Sequence, residues 1–158
     1  MIKAWRIVKT RFATGAFDGE GAREFGGRFN SVGIPVVYTA GSRSLAILEM
    51  LVHIGDEKIL PSYSICLTEF DPSIVEKLEI ADLPADWQDD PPPPGLLAMG
   101  DTWIASGRSA VLQVPSVIVP GENNYLINPN HADFRRIRIG AAVPFTFDER
   151  LLRNNDPN

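Results

Sequence analysis

Gly26-Gly27-Arg28-Phe29-Asn30, followed closely by Pro35-Val36-Val37-Tyr38-Thr39 and then a helix-patterned run over residues 45–54, is the stretch around which the chain is organised. A glycine pair beside an arginine lets backbone approach whatever the guanidinium holds, because glycine has no Cβ and reaches positive φ at little cost. The β-branched residues after Pro35 predict a strand over 36–40, and Gly33-Ile34-Pro35 is the turn leading into it. Ser42 or Ser44 is placed to cap the next helix and Gly55 to end it. On a helical wheel Leu45, Leu48, Glu49 and Val52 share one face, while Ile47, Met50, Leu51 and Ile54 cover most of the rest. A helix apolar nearly all round is expected to be buried. Glu49, its only carboxylate, is thereby carried into the interior or to the floor of a cleft.

Outward from this stretch the pattern is richer in strands than in helices. Residues 5–8 read as a first strand, and residues 13–27, rich in glycine and weakly patterned, as a loop able to lie against a ligand. A strand is expected over 63–70, ended by Asp71-Pro72. Residues 82–95 are acidic and proline-rich and read as a semi-rigid, polyproline-like surface connection. A short helix containing Trp103 is expected within 100–107. Further strands are expected over 110–114, 117–119, 125–127 and 134–139, with a polar, frayed tail over 149–158. The sum is an α+β class, a single compact domain over residues 1–148.

The chain has 158 residues, 44% hydrophobic and 22% charged, ordinary values for one globular domain. A net charge of −5 argues against direct nucleic-acid binding, which needs concentrated Lys and Arg. The local cluster Arg135, Arg136 and Arg138 reads as a solvated strand or a partner contact. The one cysteine, Cys66, lies in an apolar run and reads as a small buried hydrophobe in a reducing compartment. No run of about 18 apolar residues is present, and the N-terminus carries no signal-peptide pattern. The expectation is a soluble cytoplasmic protein with no membrane partner.

Arg28 leads the candidate site residues, because its planar fork matches a diphosphate or carboxylate bidentately; the bland reading is a surface salt bridge. Glu49 has two readings. It is a structural acid paired with Arg28 or Arg6, or a carboxylate that orients a sugar hydroxyl and stabilises positive charge at a sugar carbon. General acid or base work is a variant of the second. Glu49 and His53 form a Glu-x-x-x-His pair, but with His131 as the only further histidine the zinc signature is weak, and no metal is expected. Ser116, in Val114-Pro115-Ser116, has no histidine–acid pair announced by spacing and no Gly-x-Ser-x-Gly elbow. The amide-rich run 123–131 holds its own loop or lines a polar pocket.

These motifs together resemble the RES-domain toxins of bacterial toxin–antitoxin pairs. Gly26-Gly27-Arg28-Phe29-Asn30 is similar to the family's Gly-Gly-Arg-aromatic-Asn motif, with Phe29 where many members carry Trp. Pro35-Val36-Val37-Tyr38, Ala46-Ile47-Leu48-Glu49, Val114-Pro115-Ser116 and Asn124-Tyr125-Leu126-Ile127-Asn128-Pro129-Asn130-His131 resemble the later motifs in order. The likeness runs from about Trp5 to Phe147.

The resemblance implies a fold like that of ADP-ribosyltransferase toxins and cleavage of NAD at the nicotinamide–ribose bond, with NAD as substrate and no cofactor. By likeness Arg28 holds the diphosphate, Tyr38 packs on the nicotinamide or its ribose, and Glu49 binds the ribose hydroxyls and favours an oxocarbenium-like transition state. Ser116 completes the polar wall, and Asn30 joins the substrate-binding set. The implied partner is an antitoxin of the Xre-like helix-turn-helix kind. The rival expectation is a non-catalytic partner-binding domain in which Arg28 and Glu49 form a structural ion pair.

Overall fold

Among the described residues, eight strands form one sheet in the order β4-β5-β6-β2-β1-β3-β7, with β8 pairing alongside β7 on β3. The strands are β1 (Ile2–Lys9), β2 (Val37–Ala40), β3 (Tyr63–Phe70), β4 (Val75–Lys77), β5 (Val111–Pro115), β6 (Asn123–Ile127), β7 (Arg138–Ile139) and β8 (Val143–Phe145). The α-helices among the described residues are α1 (Glu20–Phe25), α2 (Arg43–Ile54) and α3 (Pro94–Ser106). The structure is a computed structural model that describes residues 1–55 and 60–153. It is an α+β domain, as the element pattern predicts. No helix among the described residues is long and apolar enough to cross a membrane.

Pairing within the sheet is uneven, and the unevenness positions the site. β1 and β3 run antiparallel in register over their whole length, from Ile2↔Phe70 to Lys9↔Tyr63. β2 and β6 pair along all of β2, from Val37↔Ile127 to Ala40↔Asn124. Between β1 and β2 the only registered pair is Trp5↔Ala40. The sheet therefore splits there, although the packing on one of its faces runs across the split.

Strand alternation sends Val37, Val111 and Ile127 to one face, where they pack with Ala4, Val8, Phe70 and Ile74. On the other face two clusters stand apart. One gathers Leu45, Ala46 and Ile54 of α2 with Ile7, Ala40, Ile65 and Phe147. The second gathers Leu96 and Trp103 of α3 with Phe29, Val36, Leu112 and Leu126.

Several expectations need correction. Residues 13–27 are not a plain loop. A 3₁₀ turn, Thr10–Gly15, and α1 occupy most of the segment. α3 starts inside the proline run at Pro94 rather than at residue 100, because proline at a first helical position needs no N–H partner. Residues 117–119 bend instead of extending, since Ser116 Oγ accepts from the N–H groups of Ile118 and Val119 at 3.1 Å each. Most of the expected strand over 134–139 is the 3₁₀ turn Ala132–Arg136, leaving only β7 extended. α2 is not buried all round: Leu48 and Val52 are 38% and 61% exposed. At the tail, Glu149–Leu152 forms a 3₁₀ turn, and residues 154–158 lie outside the described residues.

Candidate active site

A cleft of about 1040 Å³ opens between the α2 and α3 clusters, over the split in the sheet. Arg28, Tyr38 and Glu49 all line it. So does Arg6, which sequence reasoning considered only as a partner for Glu49. Its Nη1 donates to the carbonyl of Tyr38 at 2.9 Å and its Nε to that of Ala16 at 2.6 Å. The Tyr38 carbonyl lies on β2 where β1 and β2 diverge, and that of Ala16 follows the turn Thr10–Gly15, so the guanidinium bridges the split strand to that turn. Burial pulls the Arg6 pKa below its ordinary value, while nearby Cys66 and Asp18 push the other way.

The Arg28 loop is a tight turn clamped from three sides. Gly27 N donates to Asn30 O at 3.1 Å and Asn30 N to Gly27 O at 3.4 Å, closing the turn on itself. A Cβ on Gly27 would sit 2.7 Å from both Asn30 Oδ1 and Tyr38 Oη, which explains glycine there. Tyr38 Oη donates to Asn30 Oδ1 at 2.6 Å and accepts from Phe29 N at 3.0 Å. From below, Gly100 of α3 lies against the Phe29 carbonyl, and Asp101 accepts from Ser31 N at 2.9 Å and Ser31 Oγ at 2.5 Å. Phe29 is driven into the core, 2% exposed, and Arg28 is left at the cleft.

Asn30 belongs to this scaffold. It is 1% exposed, and its Nδ2 donates to the carbonyls of Ala22, Ser31 and Ile34 at 2.9, 3.2 and 3.0 Å. Tyr38 is likewise held by its hydroxyl, whose pKa burial raises well above the ordinary value of 10.0. The phenol is therefore a neutral hydrogen-bonding group in the working pH range.

Arg28 Nη1 donates to the carbonyls of Trp87 and Asp89 at 3.2 and 2.8 Å, tying the proline-rich segment 86–92 to the cleft wall. Its Nη2 stands 4.0 Å from the exposed Asp90 carboxylate, and neither Nη2 nor Nε has a hydrogen-bond acceptor among the described residues. The Nε–Nη2 edge is the one an oxyanion takes bidentately.

Glu49 projects from α2, whose N-cap is Ser42: its Oγ accepts from Leu45 N at 3.0 Å. The Glu49 Oε1 atom accepts from Asn124 Nδ2 at 2.7 Å and from Ser116 Oγ at 3.2 Å. No cation pairs with it among the described residues. The structural ion pair of the rival reading, with Arg28 or Arg6, is absent, because both guanidiniums are turned to backbone carbonyls. Ser116 is 2% exposed and reaches the site through Glu49. His53 lines the cleft beyond Glu49, whereas His131 lies elsewhere: its Nδ1 accepts from Asp133 N and its Nε2 is 2.9 Å from Gly107 O. The two histidines are thus held on separate elements. Asn124 was legible only as part of an amide-rich run; nothing in its spacing announced a contact to Glu49.

A family model described as the RES domain matches residues 3–148. Among curated relatives, a Toxin Res of Yersinia enterocolitica is 40% identical over 149 residues, covering 93% of this chain and 97% of its own. A Toxin Res of Photorhabdus laumondii is 36% identical over 150 residues, covering 94% and 96%. The Prs ADP-ribosylating toxin of a Sphingobium species is 37% identical over 154 residues, covering 94% and 96%. The crystal structure of the M. tuberculosis MbcT–MbcA toxin–antitoxin complex contains a chain of the same fold, with a TM-score of 0.74 at 18% identity, over 91% of this chain and 84% of that one.

Proposed function

This chain belongs to the RES-domain family, and from that premise we propose that it is the toxin of a toxin–antitoxin pair and cleaves NAD at the nicotinamide–ribose bond. The observation that carries the reading is the Glu49 carboxylate: it faces a cleft shared with Arg28, is held by two neutral donors, and has no cation paired with it among the described residues. Among the relatives, one is named an ADP-ribosylating toxin.

The chemistry follows from the substrate's charge. Nicotinamide in NAD is already a cationic leaving group, so its departure needs no proton from the protein. The C–N bond breaks with its electron pair going to the nicotinamide nitrogen, and positive charge develops on the ribose. A carboxylate beside that carbon stabilises the developing charge, and a preorganised one does so without reorganising at the moment of reaction. Arg28 holds the diphosphate through its Nε–Nη2 edge, an interaction that persists from ground state to transition state. Tyr38 and Asn30 act on the substrate by fixing the Arg28 loop, and Tyr38 also walls the nicotinamide side of the cleft. Ser116 acts through Glu49. Held by both ends, the ribose is brought to Glu49 rather than left to find it.

The partner in this reading is an Xre-like helix-turn-helix antitoxin, and the working compartment is the cytoplasm, where its substrate is found. The net charge of −5 leaves any DNA contact to that partner. A carboxylate or another anionic group of the antitoxin, seated at Arg28, blocks the diphosphate position.

Incubating the purified protein, freed of any partner, with NAD and following nicotinamide by liquid chromatography tests the reading. Release of nicotinamide is expected. The companion product names the acceptor: ADP-ribose for water, its phosphate ester for phosphate, a modified polypeptide for a side chain. Folded protein that releases no nicotinamide would refute the proposal.

A further inference from the structure

Asn124 Oδ1 is the buried side-chain polar atom without a hydrogen-bond partner among the described residues. Buried polar groups are paired in the great majority of native structures, so an orphan asks for a cause. Asn124 sits on β6 between Ala40 of β2 and Val114 of β5, both buried apolar residues. Asn124 itself is half-buried and lines the cleft. The one bond its carboxamide makes is from Nδ2 to Glu49 Oε1, at 2.7 Å the shorter of the two that reach the carboxylate. Turning the amide over would set two acceptors against each other. The orientation of Asn124 is therefore dictated by Glu49, and its carbonyl goes unpaired as a result.

Ser116 shows the same arrangement from the other side. Its oxygen accepts from Ile118 N and Val119 N, so its proton is directed to Glu49 Oε1. Two donors from two different strand ends thus converge on one carboxylate oxygen. The other, Oε2, has no donor among the described residues.

We infer that Asn124 is a positioning residue for the proposed reaction: its amide fixes the Glu49 carboxylate so that Oε2 is the edge left for the ribose. The inference rests on the reading of Glu49 given above. It explains why a polar residue that leaves its own acceptor unpaired stands in the sheet, because that residue serves the carboxylate and not the core.

The test measures nicotinamide release over a range of NAD concentrations for Asn124→Leu, with Asn124→Asp and Glu49→Gln in parallel. Leucine is close in size and removes both the donor and the orphan acceptor. Its kcat should fall about 10- to 100-fold, the range for losing a hydrogen bond to a charged group. KM should stay close to the parent value, and the melting temperature should be no lower. A kcat per folded molecule equal to the parent's, or a loss confined to KM, would overturn the inference. If Asn124→Leu does not fold, Asn124→Asp, which keeps the shape and replaces the donor by an oxygen, carries the same two readings. An active Glu49→Gln would defeat the proposed function itself, whereas an inactive Glu49→Gln beside a fully active Asn124→Leu defeats only the role given to Asn124.

Discussion

Gly100→Ala should damage this protein although glycine-to-alanine changes inside helices usually help. Alanine in place of an interior helical glycine normally stabilises by about 0.5–1 kcal/mol. At Gly100 a Cβ would lie 1.6 Å from the carbonyl oxygen of Phe29, where real Cβ contacts are essentially never under 3.0 Å. A displacement of about 1.4 Å, the difference between those two distances, is the least that relieves the clash. The obstructing atom is backbone, so it cannot swing aside as a side chain would. Overpacking of this kind costs about 1–3 kcal/mol, which outweighs the helical gain. Net of that gain, the melting temperature should drop by up to about 10 °C for a chain of this length. Because Phe29 follows Arg28, the guanidinium moves with the loop, and a shift near 1 Å costs catalysis about 100-fold when it misplaces a substrate-holding group. The assay pairs thermal unfolding with nicotinamide release, using Gly95→Ala as a control in the same helix; a Cβ there meets nothing closer than Pro84 Cγ at 4.0 Å. The control should melt no lower than the parent. A Gly100→Ala protein that melts at or above the parent temperature with unchanged kcat/KM would refute the reasoning.

Arg28→Ala should raise KM for NAD far more than it lowers kcat, since diphosphate contacts persist through the reaction; steady-state kinetics decide, and a large fall in kcat at constant KM would contradict the role. Tyr38→Phe should lower stability by about 1–3 kcal/mol by unpairing Asn30 Oδ1 and Phe29 N, read by denaturant melts. The folded-state pKa of Tyr38 is raised above its unfolded value, so its contribution is full below about pH 10 and is lost as pH rises beyond that; Tyr38→Phe should flatten the alkaline limb of the parent's stability profile. Adding the cognate antitoxin should raise the apparent KM for NAD, and inhibition insensitive to NAD concentration would point to a remote mechanism instead.

Much of the frame was legible because it rests on local rules. Proline before a β-branched run placed β2, Ser42 and Gly55 bounded α2, and Asp71-Pro72 ended β3. Glu49 stood out because a lone acid on an apolar helix has to be held by something. Its actual donors were not legible. Asn124 and Ser116 meet it through sheet register, and register links residues 67 and 75 positions apart without leaving a local pattern. The ion pair with Arg28 failed for a similar reason: Arg28 reaches backbone carbonyls 59 and 61 residues away, which any sequence could supply. Arg6 carries no sequence signal because its partners are also carbonyls, one on β2 where the sheet splits and one after the turn Thr10–Gly15. Residues 117–119 looked like a strand from their apolar side chains, but the Ser116 hydroxyl captured the backbone first. Tyr38 and Asn30 looked like ligand contacts, and their hydrogen bonds go to the loop that presents Arg28.

The central claim is that the negative charge of Glu49 drives nicotinamide departure, and Glu49→Gln isolates that charge, because it keeps the shape and leaves the folded scaffold in place. The measurement is single-turnover nicotinamide release, with NAD affinity determined on the same protein by calorimetry. The account predicts NAD bound nearly as tightly as by the parent and release slowed by about 100-fold or more, the scale of losing one preorganised electrostatic contact to the transition state. Release at close to the parent rate from NAD-bound Glu49→Gln would contradict it.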